Sequence, residues 1–163
     1  MSRPARLRAR IAYPTGARSP RFALVDQHGK RVSSATLAGK PYVLAFLSTH
    51  CDASCQTSLA QIATATRDHS IRVVLISTTP ETDTAISIRA LLRKTRLDSH
   101  AVTYATRPAT NIARILRATR YAAAPVRIVR AHLVDKDGRL RAEYTGGFNP
   151  ADLAHDAATL ASE

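Results

Sequence analysis

Two uninterrupted apolar runs, Pro41–Thr49 (PYVLAFLST) and Ile71–Ser77 (IRVVLIS), constrain this chain more than any other feature. A strand buried on both faces reads as a continuous apolar run, whereas a half-exposed strand alternates apolar and polar residues. Between the two runs, Asp52–Arg67 sets Leu59, Ile62, Ala63 and Thr66 at helical spacing. Two doubly buried strands joined through a helix form a parallel pair with a right-handed crossover. The chain is therefore expected to be α/β.

The rest of the sequence extends that unit. Thr82–Arg96 predicts a helix through Ile86, Ile88, Leu91 and Leu92, capped by Thr82 or Asp83. Ala101–Tyr104 suggests a short strand, and Ala109–Thr119 a helix with Ile112, Ile115 and Leu116 on one face. Arg127–Val134, an Asp-Gly turn over Asp135–Gly138, and Arg139–Thr145 read as a late hairpin. Pro150–Ala161 closes the chain as a helix with proline at its start. Upstream, Phe22–Val25 and Arg31–Val32 predict a hairpin turning through Asp26–Lys30. This order is the layout of an elaborated thioredoxin-like fold: a central mixed sheet flanked by helices, with an extra N-terminal hairpin. Residues 1–20 show no hydrophobic period and many charges, and read as a flexible basic leader. Residues 21–163 read as one domain.

The formal net charge is +12, yet the arginines are spread over every segment, with a modest cluster at Arg3, Arg6, Arg8 and Arg10. No basic run is interleaved with aromatics, which total 5%. That pattern is a solvated basic surface, so no nucleic-acid partner is expected. No stretch approaches the roughly 20 apolar residues that span a bilayer. The basic N-terminus lacks the apolar core of a secretory signal. As written, the chain is expected to be soluble and cytoplasmic, with membrane attachment only through an anchor outside this sequence.

The chain has two cysteines, Cys51 and Cys55, in Thr49-His50-Cys51-Asp52-Ala53-Ser54-Cys55. They fall where the first buried strand hands over to its helix. Sites in parallel α/β sheets form at the carboxyl ends of strands. A thiol there meets the free N–H groups and positive dipole end of a helix, and both favour thiolate. Cys51 is the expected nucleophile. Four-residue spacing places the sulfurs one turn apart, with α-carbons on the order of 6 Å from each other, within reach of a disulfide. Two soft thiolates also suit Cu(I) if a third ligand arrives from elsewhere. The spacing thus permits a redox dithiol, a copper site, or both. A tetrahedral zinc site is not expected, because no second ligand pair exists.

Several stretches resemble the Sco/SenC proteins, thioredoxin-fold domains that help assemble the copper centre of cytochrome c oxidase. These are Phe22–Gly29, Leu37–Lys40, Thr49-His50-Cys51-x-x-x-Cys55, Ile76–Thr84 (ISTTPETDT) and His132–Gly138. The likeness spans about residues 22–161. It implies a protein partner carrying a disulfide or dithiol, with a cytochrome c oxidase subunit as a candidate, and work on the extracytoplasmic face of a membrane. The family's copper site uses both cysteines and one histidine shortly before the late strand. Arg127 occupies that position here, and Thr79 stands where the family has an aspartate before the proline.

An arginine cannot ligate copper and stays charged; near the cysteines it repels Cu(I) and stabilises a thiolate. The resemblance, so modified, implies thiol–disulfide exchange through the CxxxC dithiol, a possible oxidoreductase that needs no cofactor. The alternative is a Cu(I) chaperone for oxidase assembly that uses Cys51, Cys55 and a histidine. His132 is the substitute ligand closest to Arg127; in a regular strand its odd offset points it to the opposite face, and a bulge would restore it as the third copper ligand beside Cys51 and Cys55. His50 precedes the nucleophile and can tune it or ligate a metal. Pro125, after three alanines, sits near where thioredoxin folds place a cis-proline facing the active cysteine. His28, His69, His100 and His155 read as surface residues.

Overall fold

A computed structural model describes residues 6–13, 17–67, 71–97, 102–118 and 129–163. Eight strands form a single mixed sheet in the order β1-β8-β7-β4-β5-β6-β2-β3. They are β1 (Ile11–Ala12), β2 (Ala23–Asp26), β3 (Arg31–Ser33), β4 (Tyr42–Leu47), β5 (Arg72–Ser77), β6 (Val102–Arg107), β7 (Ala131–Val134) and β8 (Leu140–Tyr144). The helices are α1 (Ser34–Leu37), α2 (Ala53–Ala65), α3 (Ala85–Lys94), α4 (Ala109–Ala118) and α5 (Pro150–Ala161). Strands β4, β5 and β6 run parallel, and β7 pairs antiparallel with β4.

The apolar run of β4 is buried along its whole length, as a central strand covered on both faces must be. Alternate side chains serve two cores. Val43, Ala45 and Leu47 meet Leu59 and Ile62 of α2, Ile88 and Leu91 of α3, and Leu153 and Leu160 of α5. Tyr42, Leu44 and Phe46 meet Ile112 and Ile115 of α4 with Phe22, Leu24 and Leu37 on the other side. Among the described residues no helix is long and apolar enough to cross a membrane.

The α/β layout expected from sequence is the observed one, including the N-terminal hairpin of β2 and β3 at one sheet edge. Several elements differ in extent, and the late strand β7 covers Ala131–Val134 where Arg127–Val134 is expected from sequence. Helix α3 starts at Ala85 with Thr84 as its cap, where Thr84 and Ser87 form a reciprocal capping box, rather than with Thr82 or Asp83. Strand β6 runs on to Arg107, because its buried Thr103 and Thr106 continue a ladder that an apolar pattern does not reveal. The described part of segment 1–20 joins the domain: Ile11 and Ala12 pair with Glu143 and Ala142 of β8, and Arg18 bridges to Arg139. The backbone amides of Arg8 and Ala9 donate to the fully buried Asp156 carboxylate at 2.7 and 2.9 Å.

Candidate functional site

Strands β4 and β5 end side by side, with Leu47 opposite Ser77. The loop after β4 carries Ser48, Thr49, His50 and Cys51 into α2. Asp52 is the α2 N-cap, and its carboxylate accepts the Cys55 amide at 2.9 Å. Cys51 therefore stands one residue before the cap and Cys55 in the first turn. Their α-carbons are 5.4 Å apart and the sulfurs are joined in a disulfide. Cys55 is 7% exposed and packs into the α2-side core, whereas Cys51 is half-buried. The Gln56 side chain donates from Nε2 to the Cys51 carbonyl at 3.0 Å, fixing the loop from the helix side. The helix N-terminus expected to face a thiol is thus already occupied in part by the Asp52 carboxylate.

Leu47, Ser48, His50, Cys51, Asp52, Cys55 and Thr79 line a cavity of about 280 Å³ at the disulfide. Larger hollows of about 420 and 360 Å³, beside Thr66 and Arg67 and beside Lys40 and Arg72, lie away from the cysteines. Chemistry, not size, selects the smaller one.

Beneath this loop, the Asp83 carboxylate collects hydrogen bonds from separate elements. Its Oδ1 accepts from the Thr49 amide at 3.1 Å, the Thr49 hydroxyl at 2.6 Å and the Thr79 hydroxyl at 3.2 Å. Its Oδ2 accepts from the Ser77 hydroxyl at 2.6 Å and the Tyr104 hydroxyl at 2.8 Å. Ser48 and Thr79 hydroxyls share a 2.6 Å hydrogen bond, and the His50 amide donates to Ser48 Oγ at 3.1 Å. Burial, reinforced by the Asp83 charge and hydrogen bond, holds the Tyr104 hydroxyl far above the usual tyrosine range, so it stays a donor. Sequence reasoning used Asp83 only as a cap candidate and a motif member. Ser48, Ser77 and Tyr104 went unnoticed. The available signal was a cluster of hydroxyl residues just after two adjacent buried strands.

The other expected site residues separate. His50 is exposed and lines the cavity. His132 pairs with Leu44 in the ladder and meets Phe46 edge-on with ring centroids 6.0 Å apart, on the face opposite α2. The structure therefore does not bring His132 to the cysteines as a copper ligand; the strand alternation that sends Leu44 and Phe46 to the α4 side carries it along. Burial, and then the Arg130 charge, lower the His132 pKa to about 4, and its Nε2 is buried with no hydrogen-bond partner. Arg127 and Pro125 lie outside the described residues; the cis peptide bond among the described ones is Arg107–Pro108. Among the described residues, no three His, Cys, Asp or Glu side chains form a group able to hold a metal ion.

Comparisons with known proteins bear on the fold and the family. No curated protein matches the chain. Bradyrhizobium japonicum ScoI, solved with copper bound, superposes with a TM-score of 0.71 at 25% identity, covering 88% of this chain and 99% of its own. Two further structures give the same fold. BsSco, described as a Sco family cytochrome c oxidase assembly protein with a disulfide switch, has a TM-score of 0.72 at 20% identity, with 93% and 98% coverage. Copper-bound Arabidopsis thaliana ScoI has 0.70 at 20% identity, with 90% and 100% coverage. Residues 12–162 match the SCO1/SenC family model, so the chain belongs to the SCO1/SenC family.

Proposed function

We propose that this protein exchanges disulfides with a partner protein through Cys51 and Cys55. The observation that carries the reading is a closed cysteine pair at the strand ends, with one sulfur-bearing residue half-buried and the other inside the core. Exchange needs an attackable sulfur and a sheltered one that leaves and returns. From the oxidised form, a partner thiolate attacks Cys51 Sγ and the Cys51–Cys55 bond breaks. Cys55 leaves as thiolate, and a mixed disulfide joins Cys51 to the partner. A second partner thiolate then attacks the partner sulfur of that bond and releases Cys51 as thiolate. The partner has lost two electrons and closed its own disulfide, and Cys51 and Cys55 have gained two. The reverse sequence reduces a partner disulfide, with Cys51 attacking and Cys55 resolving. Which direction runs depends on the partner's potential relative to this pair.

A second reading has Cu(I) as cargo, favoured by the copper-bound relatives and by the two soft sulfur donors. It requires the disulfide to be reduced first and a third donor to join, for which His50, in the cavity lining, is a candidate. The donor set among the described residues supports exchange better. The role in cytochrome c oxidase assembly described for BsSco makes an oxidase subunit the partner to try first.

Turnover of a disulfide-bonded peptide, with glutathione as the recycling thiol, tests the reading. Cys51→Ser is expected to abolish turnover, and unchanged turnover would end the proposal. A parallel Cu(I) titration of the reduced protein against a chelating competitor separates the two readings. Tight stoichiometric binding lost in His50→Ala would favour the cargo reading.

A further inference from the structure

Asp83 touches neither sulfur, yet the polar ties between the cysteine loop and the strands beneath it converge on its carboxylate. Thr49, two residues before Cys51, gives it both amide and hydroxyl at 3.1 and 2.6 Å. On the other side it is held by Ser77 and Tyr104, both fully buried in β5 and β6. A charged acceptor makes hydrogen bonds that are shorter and stronger than neutral ones, and a connected network stiffens as a unit. The carboxylate is therefore a rigid bridge from the sheet to the loop. The start of α3 does not need it, because Thr84 and Ser87 satisfy that helix end reciprocally. A role confined to helix capping, the ordinary explanation of an aspartate at this place, is thus already filled by a neighbour.

The redox consequence follows from where each cysteine is anchored. Cys55 is fixed by α2 and the core, whereas Cys51 belongs to the loop that Thr49 ties down. A disulfide closes readily when its two thiols are held near each other and less readily when one wanders. We propose that Asp83 is a positioning residue for the dithiol. It holds the Thr49–Cys51 loop in the geometry that closes the Cys51–Cys55 disulfide, and so sets how easily that bond is reduced. The proposal rests on the exchange reading of the site, but its test requires no protein partner.

The full chain is equilibrated in glutathione buffers and the disulfide fraction read by thiol alkylation and mass spectrometry. Asp83→Asn and Thr49→Val are each expected to shift the equilibrium constant about tenfold toward the dithiol, equivalent to a potential about 30 mV less negative. Thr49→Ser, which keeps the hydroxyl, is expected to stay within about twofold of the native value. Denaturant unfolding of each redox form supplies the control: the Asp83→Asn loss should be larger in the oxidised protein than in the reduced one. An unshifted constant with equal losses in both forms overturns the proposal and leaves Asp83 a scaffold residue. If Asp83→Asn does not fold, the Thr49 pair decides. A shifted constant alongside absent turnover of the peptide substrate supports the role of Asp83 and counts against the exchange reading alone.

Discussion

Asp83 and Asp156 each gather hydrogen bonds from distant parts of the chain, and they do so in different settings. Asp156 is fully buried in α5, where it accepts from the Arg8 and Ala9 amides and the Tyr144 hydroxyl and sits 3.0 Å from His155 Nδ1. Asp83 is half-buried at the strand ends, and its partners include the loop that carries Cys51. The first carboxylate closes the fold by tying residues 8–9 to the last helix. The second ties the cysteine-bearing loop to the same sheet. A buried charge satisfied by several donors is costly to disturb in either place, but of the two networks only that of Asp83 reaches the loop bearing Cys51.

The largest expected break is Asp156→Ala. It leaves the buried Tyr144 hydroxyl and two backbone amides without their acceptor, so denaturant unfolding should show a loss of about 3 kcal/mol or more. The glutathione equilibrium of Cys51–Cys55 should stay native. A shift there as large as that of Asp83→Asn would erase the distinction between the two sites.

His132 sharpens the contrast from the opposite sheet face. Its folded-state pKa is lowered to about 4 from 6.5, so between those values the unfolded chain binds a proton that the folded one does not. The contribution of neutral His132 is therefore complete above about pH 6.5 and is lost as the pH drops toward 4. Discounted for the neighbouring Glu143 carboxylate at 3.6 Å, the loss should be about 2 kcal/mol. His132→Leu should flatten this acid dependence in unfolding measurements from pH 7 to pH 4 and leave the dithiol equilibrium at pH 7 unchanged.

What the sequence revealed and what it hid divide along the same physical line. Apolar runs and helical spacing are local, so β4, β5, α2 and α5 were legible, and so was the strand-to-helix position of Cys51 and Cys55. The turns at Asp26 and Asp135 were legible for the same reason. In each, one aspartate Oδ1 accepts two nearby amides, from His28 and Lys30 or from Asp137 and Arg139, and a glycine at positive φ completes the reversal. Strand β1 was not legible, because two residues carry no period and their partner lies in β8 near the other end of the chain. The Asp83 network was hidden for a related reason: Thr49, Ser77 and Tyr104 meet only once the strands are aligned. The cap expected at Thr82 or Asp83 shows the same limit: local spacing puts Asp83 at a helix end, whereas its carboxylate turns toward the cysteine loop.

The most direct test of the central claim is to trap the exchange intermediate. Cys55→Ser leaves Cys51 without its resolving partner, so incubation with a disulfide-bonded peptide should accumulate a covalent adduct, seen by mass spectrometry and mapped to Cys51. Cys51→Ser, which leaves only the buried Cys55, should accumulate none. An absent adduct in the first variant, or equal adducts in both, would contradict the assignment of Cys51 as the exchanging sulfur.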